Sequence, residues 1–268
     1  MNYRHAFHAG NFADCMKHAL LLAALGLLTR KPSSVFVLDT HAGAGTYDLM
    51  NEAERTGEWR EGFARLIPPP PALEFYVGLA ERLGLYPGSP RLIRARLRPG
   101  DALACCELHP ADHADLRRLF HAEPQVAVHN RDGYEAIRAL LPSVQRRALI
   151  LIDPPYELPG EFDRVVQAFA SAATRMDHAV AIAWYPIKHR TPVNEFHAAL
   201  KATALTDLVV AELWLREPID PTRLNGCGLV IRNPPWGFDD EAAQILAALR
   251  DALGGPGSGA ALFRLTDE

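Results

Sequence analysis

Ala148-Leu149-Ile150-Leu151-Ile152-Asp153-Pro154-Pro155-Tyr156 opens on five apolar residues and stops at an acid and two prolines. A run rich in Leu and Ile that ends at a breaker predicts a strand buried on both faces, the kind a parallel sheet requires. Each proline fixes φ and removes an N–H, so the ladder ends and Asp153 is held at the carboxyl edge of the sheet. Ligands of open α/β sheets bind outside that edge. The residues there suit an exocyclic amine on a planar base. The Asp153 carboxylate and the Pro154 carbonyl can each accept one N–H, and Tyr156 offers a ring for stacking. Binding both protons would draw the nitrogen lone pair out of conjugation and aim it at an electrophile. Asp and Pro are also ordinary turn residues, so the tetrapeptide alone reads equally well as a turn that ends a strand.

Outward from this strand, the chain alternates. Val35 to Asp39 predicts a first strand, followed by Thr40-His41-Ala42-Gly43-Ala44-Gly45, in which glycine lets a ligand approach the backbone. This G-x-G lacks the third glycine of the dinucleotide fingerprint. Further strands are expected at Leu103 to Leu108, with Glu107 at the strand end, at Gln125 to Val128 before Asp132-Gly133, and at His178 to Trp184. Two longer strands, Leu205 to Leu215 and Gly226 to Ile231, close the set. Helical patterns separate the earlier strands. The expectation is an α/β, Rossmann-like, doubly wound and mostly parallel seven-stranded sheet with a terminal antiparallel hairpin, filling residues 1–268 as one domain. Between residues 47 and 98 the pattern changes to charged helical stretches (Asn51 to Leu66, Ala72 to Leu83, Ser89 to Leu97), with no strand evident. These residues are expected to form a small helical subdomain inserted after the glycine loop. Gly254 to Gly259 reads as a short loop, and no internal repeat is present.

A chain of 268 residues with 49% hydrophobic and 22% charged content is long enough for one large core and is not of disordered composition. The net charge of −4 gives no global signal for a polyanion, so any nucleic-acid contact must be local. Arg91, Arg94, Arg96 and Arg98, or Arg146 and Arg147, are the clusters available for it, or else they are solvated faces. Four cysteines form no C-x-x-C, which favours a reduced, cytoplasmic setting. Ala19 to Leu28 is apolar but too short to span a bilayer, and it reads as a buried helix capped by Asn11 or Asp14. No membrane partner is expected. His5, His8 and His18 lack the carboxylate or cysteine spacing of a metal site, so no metal is expected either.

Four polar groups thus fall along one edge of one sheet: the glycine loop, Glu107, Asp132-Gly133 and Asp153. An S-adenosylmethionine site needs such a row. The loop at Gly43 would pass under the methionine moiety, Glu107 would accept the ribose hydroxyls, and Asp132 would accept the adenine amine. Each acid taken singly also fits a cap or turn.

Several stretches together resemble the bacterial 23S ribosomal RNA adenine-N6 methyltransferases of the RlmJ family. They are Tyr3 to Asn11 (YRHAFHAGN), Leu38 to Gly45 (LDTHAGAG), Glu54 to Glu58 (ERTGE), Tyr86 to Pro90 (YPGSP), Glu107 to Pro110 (ELHP) and Asp153 to Tyr156 (DPPY). The resemblance covers nearly the whole chain. It implies a class I S-adenosylmethionine-dependent methyltransferase fold with a helical insert, and transfer of a methyl group from S-adenosyl-L-methionine to an adenine N6 in 23S ribosomal RNA. It further implies cofactor contacts from Lys17, His18, His41, Ser89, Glu107, Asp132 and Gly133, with Asp153 bordering the cofactor as the catalytic acceptor. Tyr3 is implied as a contact of the substrate RNA, beside Tyr156.

Asn233-Pro234-Pro235-Trp236 also follows a strand and also fits an amine-binding pattern. Too little chain follows to flank a catalytic edge, so it is expected to be a turn in which Trp236 packs. Two other functions use the same residues: a DNA adenine-N6 methyltransferase, and a non-catalytic RNA-binding or ribosome maturation factor on a methyltransferase scaffold.

Overall fold

A computed structural model describes residues 5–51 and 53–267. The strands are β1 (Val35–Asp39), β2 (Thr46–Tyr47), β3 (Tyr86–Pro87), β4 (Ala102–Cys106), β5 (Val126–His129), β6 (Arg147–Ile152), β7 (Val180–Ile187), β8 (Leu208–Trp214), β9 (Gly226–Arg232) and β10 (Gly259–Thr266). The helices are α1 (Phe12–Leu28), α2 (Glu74–Leu83), α3 (Ser89–Arg94), α4 (Pro110–Leu119), α5 (Gly133–Leu140), α6 (Glu161–Arg175), α7 (Arg190–Lys201) and α8 (Phe238–Leu253).

Eight strands form one sheet in the order β10-β8-β9-β7-β6-β1-β4-β5, parallel from β7 through β5 and antiparallel at β7-β9, β9-β8 and β8-β10. After β1 the chain builds outward to β4 and β5, then returns to lay β6 on the other side of β1. That reversal is the topological switch point, where the loops leaving two neighbouring strands part and open a crevice. Asp39 pairs with Leu151 across β1-β6 and with Cys105 across β1-β4, so the loops carrying His41, Glu107 and Asp153 leave the sheet at one level.

The strands alternate strictly between two cores. Val35, Val37, Leu103, Leu149 and Leu151 face α1 and α8, while Phe36, Leu38, Ala104, Ile150 and Ile152 face α5, α6 and α7. Beyond the buried Asp14, Lys17 and His18 of its first turns, helix α1 is apolar all round because it is enclosed, and all its residues except Gly26 are buried. Among the described residues no helix is long and apolar enough to cross a membrane. All four cysteines are buried free thiols.

Three expectations need correction. The sheet has eight strands rather than seven, because Gly259–Thr266 adds β10 beside β8. As an edge strand with Phe263 partly exposed, it carries no clean apolar face for a sequence pattern to reveal. Residues 51–66 are not one helical stretch but three short 3-10 turns, Ala53–Arg55, Glu58–Arg60 and Phe63–Leu66. They are interrupted at Gly57 and at Gly62, where a Cβ would collide with the Gly10 carbonyl and the Asn11 backbone. Phe63 N–H donates to that same carbonyl at 2.8 Å, which ties this stretch to the segment before α1. Nor is residue range 47–98 free of strand: β2 and β3 pair antiparallel, Tyr47 opposite Tyr86, and bring its start against the residues just before α3. Phe63, Leu66, Leu73, Tyr76, Val77, Leu92 and Ile93 from this range join the same core as α1.

Candidate active site

A cavity of about 1390 Å³ opens at the switch point and is lined by residues from every loop on that edge. Within it, Lys17, His18, His41, Gly43, Ser89, Glu107, Asp132, Gly133, Asp153, Pro154 and Tyr156 come together. Tyr3 lies outside the described residues.

The centre of the site is a buried charge chain. Asn11 caps α1 by accepting from the Asp14 N–H at 3.0 Å, and Asp14 in turn accepts from the Gly10 N–H at 3.0 Å. One turn on, Lys17 Nζ lies 2.9 Å from Asp14 Oδ1 and 2.6 Å from Asp153 Oδ2. Burial by itself would depress the Lys17 pKa, but the charges of Asp14 and Asp153 and their hydrogen bonds outweigh it and hold the ammonium well above its ordinary range. Lys17 is therefore a fixed cation. Asp153 Oδ1 and the Pro154 carbonyl make no hydrogen bond among the described residues, so both acceptors needed for an amine remain available.

Behind Asp153 stands a second carboxyl that sequence reasoning did not assign. Asp39 ends β1, is 0% exposed, and accepts from Ser89 Oγ at 2.6 Å, while its Oδ1 has no partner among the described residues. Burial pushes this carboxyl up to about 7, with the nearby Asp153 charge adding to the shift and the Ser89 hydrogen bond opposing it. An acid ending a strand just before a glycine loop was the available signal.

At the other end, Glu107 follows β4 and holds the glycine loop in place. Its Oε2 accepts from the Gly43 N–H at 2.8 Å and its Oε1 from the His109 N–H at 2.7 Å. A carboxylate oxygen has two acceptor sites, so each can take one further donor. Burial raises the Glu107 pKa against the pull of those N–H groups. Asp132 caps α5 with Oδ1, accepting from Tyr134 N at 2.8 Å, and pairs Oδ2 with Arg164 Nη2 at 3.0 Å. The capping role and the edge position coexist in this one side chain. Gly133 is obligatory, since a Cβ there would strike the Thr40 carbonyl.

The aromatic and imidazole groups are equally fixed. Thr40 Oγ1 donates to the Leu151 carbonyl at 2.8 Å and so accepts from His41 Nδ1–H at 2.7 Å, leaving Nε2 as an acceptor. Burial drives the His41 pKa down to about 4, which keeps the ring neutral. His18 Nδ1 sits 3.2 Å from Tyr86 Oη, itself 2.9 Å from Tyr76 Oη, so α1 is hydrogen-bonded to the inserted range. Tyr156 has φ of 51°, donates its hydroxyl to the Trp184 carbonyl at 2.9 Å, and packs its ring 5.0 Å from Phe162 and 5.7 Å from Trp184. Glu58, another residue the sequence reading left without a role, receives His8 Nδ1 at 2.9 Å and Asn11 Nδ2 at 3.0 Å and so fastens the segment before α1 over the cavity.

Other candidates fall elsewhere. Strand β9 runs antiparallel to β7 and ends with Arg232 opposite Ala181, which puts residues 233–236 at the edge away from Asp153. They do form a turn, held by Asn233 Nδ2 donating to the Asp177 and Ala179 carbonyls, but Trp236 does not pack and is 92% exposed. The arginine clusters are engaged structurally. Arg98 binds Asp101 and three backbone carbonyls, Arg94 pairs with Glu123, Arg91 donates to the Leu83 carbonyl, and Arg96 lies over Phe75. Arg147 begins β6, at the end of that strand away from Asp153. Among the described residues no group of three His, Cys, Asp or Glu side chains is placed to hold a metal.

Comparison with known proteins places this geometry in a family. Residues 32–264 match the family model described as "Ribosomal RNA large subunit methyltransferase D, RlmJ". The chain is 37% identical over 269 residues to "Ribosomal RNA large subunit methyltransferase J" of Escherichia coli strain K12, covering 97% of this chain and 96% of that protein. It is 36% identical over 270 residues to the protein of the same name from Haemophilus influenzae, with the same coverage. A crystal structure of a Legionella pneumophila protein superposes with a TM-score of 0.89 at 33% identity, covering 96% of this chain and 98% of that one. On the strength of this sequence match across nearly its whole length, the chain belongs to the RlmJ family of ribosomal RNA large subunit methyltransferases.

Proposed function

We propose that the protein is a cytoplasmic enzyme that transfers a methyl group from S-adenosyl-L-methionine to the N6 amine of an adenine in 23S ribosomal RNA. The observation that carries this reading is the pair of unengaged acceptors, Asp153 Oδ1 and the Pro154 carbonyl, beside a carboxylate fixed by Lys17.

The donor set fits the cofactor. Glu107 retains acceptor capacity for vicinal hydroxyls, and Asp132 with Gly133 offers a polar edge for a purine. Neutral His41, the Gly43 loop, Ser89 held by Asp39, and Lys17 with His18 line the opposite end. When bound, S-adenosylmethionine supplies an electrophilic methyl group on a sulfonium sulfur. The chain's task is alignment. Asp153 and the Pro154 carbonyl each accept a hydrogen bond from the amine and direct the nitrogen lone pair, and the Asp153 carboxylate can take the one proton the amine sheds as the N–C bond forms and the C–S bond to the departing thioether breaks. Tyr156 gives the adenine a stacking surface whose orientation is fixed by the Trp184 carbonyl. An adenine inside a duplex must be extruded to reach this edge, so a loop or exposed base in structured RNA is the favoured target. Tyr3, outside the described residues, would contact the RNA. Residues 47–98 would act as an inserted subdomain that braces α1 and thereby Lys17.

Calorimetric titration with S-adenosylmethionine, followed by labelled methyl incorporation into 23S ribosomal RNA and into duplex DNA, tests the reading. Cofactor binding with label in RNA is the expected result. Label in DNA alone would convert the assignment to a DNA methyltransferase, and no cofactor binding would leave only a scaffold.

A further inference from the structure

The cavity, about 1390 Å³, exceeds the roughly 300 to 1,000 Å³ typical of a single small-molecule site. Past Tyr156 it continues to two loops that none of the cofactor or catalytic roles use. One is the turn between β7 and α7, with Lys188 and His189, and the other is the connection between β8 and β9, with Arg216 and Arg223. Lys188 and Arg223 are exposed and Arg216 half-buried; the connection that carries the two arginines also carries Glu217 and Asp220, and the Arg223 charge, after the hydrogen bonds from Thr222, helps to lower the Asp220 carboxyl.

These cations sit on a rigid mount. Asn225, 0% exposed, donates through Nδ2 to the Lys188 carbonyl at 2.7 Å and to the Asp220 carbonyl at 2.7 Å, so one buried amide joins the two loops. Its backbone N–H donates to the Ile187 carbonyl at 3.0 Å, and its carbonyl accepts from the Leu215 N–H at 2.9 Å. Arg216 Nη1 reaches across the same loop to the Leu224 carbonyl at 3.3 Å. Lys188 lies four residues on from Trp184, whose carbonyl anchors Tyr156, which is about 13 Å along the chain. In a protein of net charge −4, with Arg91, Arg94, Arg96 and Arg98 engaged in the fold, this is a local set of cations beside the base pocket.

We propose that Lys188, Arg216 and Arg223 form a preorganised phosphate-binding rim that grips the RNA backbone flanking the extruded adenine. The proposal rests on the reading of Asp153 to Tyr156 as the target-base site. Phosphate contacts position a nucleic acid and set its salt dependence, while the base pocket selects the reacting group. The rim therefore governs capture of RNA rather than the chemical step.

The test uses the full chain with a 23S ribosomal RNA transcript. RNA affinity is measured by fluorescence anisotropy across a salt series, and KM for RNA is measured at saturating S-adenosylmethionine. Lys188→Gln with Arg223→Gln, both exposed, should weaken RNA binding at least tenfold, reduce the slope of log affinity against log salt by about one to two, and raise KM far more than it lowers kcat. Arg146→Gln, exposed and ahead of β6, should change none of these. Unchanged affinity and salt slope in the double variant, or an equal loss in Arg146→Gln, would overturn the rim. Wild-type protein that binds RNA with the expected salt slope but transfers no methyl group would defeat the function reading while leaving the rim standing.

Discussion

Lys17 Nζ bridges Asp153 Oδ2 at 2.6 Å and Asp14 Oδ1 at 2.9 Å, so the reacting carboxylate is positioned from α1, more than a hundred residues away in sequence. Removing the cation would take from the buried Asp14 the charge that lies 2.9 Å from it, and breaking such a buried pair costs about 3 to 5 kcal/mol. Lys17→Met should therefore lower the melting temperature and the turnover together. Adding Asp14→Asn should recover much of the stability but not the turnover, because Asp153 remains unheld. Recovery of both in the double variant would show that Lys17 serves folding alone.

The ribose acid makes a separable prediction. Glu107→Ala should weaken S-adenosylmethionine binding by about 1.5 to 3 kcal/mol, through lost hydroxyl hydrogen bonds to a charged acceptor. Saturating cofactor should restore much of the rate. Because Glu107 also holds the Gly43 and His109 N–H groups, the alternative is a purely structural tether. An unchanged cofactor affinity in calorimetry would establish that alternative.

Asp39 predicts a pH dependence. Its carboxyl is raised to about 7 in the folded protein, so between roughly pH 4 and 7 the folded chain binds more protons at this site than the unfolded chain does. Stability from this group is thus greatest in acid, falls as pH rises through that window, and is level above it. Asp39→Asn should remove that decline and add about 2 to 4 kcal/mol at pH 8 relative to wild type. Urea unfolding from pH 4 to 8.5 reads this directly, and parallel curves for the two proteins would refute it.

Glu58 ties His8 and Asn11 together at the wall of the cavity, and the resemblance to the family implies an RNA contact from Tyr3, ahead of them in the chain. Tyr3→Ala should then reduce turnover at least tenfold, about 1.4 kcal/mol of barrier, with melting temperature and cofactor affinity little changed. A lowered melting temperature with near-normal rate would assign Tyr3 to packing.

The parallel centre of the fold was legible because β1, β4 and β6 are short apolar runs that end in an acid or a breaker, a pattern that also marks the carboxyl edge. β10 was not legible, since an edge strand with its residues half in solvent has no period to detect. The turns at residues 53–66 mimicked a helix in composition, yet Gly62 is dictated by a contact with Gly10 that no local pattern reveals. Asp153, Glu107 and Asp132 could be read as one edge. The engagement of Asp39 with Ser89 and of Lys17 with Asp153 could not, because both join residues brought together only by the closed sheet and α1. Nor could the joining of the Lys188 turn to the loop of Arg216 and Arg223 be read, because it runs through the buried Asn225 amide and the carbonyls of Lys188 and Asp220.

The central claim is that Asp153 directs methyl transfer to an adenine N6. Its most direct test is mass analysis of N6-methyladenosine in 23S ribosomal RNA incubated with S-adenosylmethionine and either the wild-type protein or Asp153→Ala, with cofactor affinity measured in parallel. The account predicts that wild type forms N6-methyladenosine and that the variant forms none, while cofactor affinity stays within about tenfold, ~1.4 kcal/mol. Retention of more than about a tenth of wild-type turnover by Asp153→Ala would contradict it.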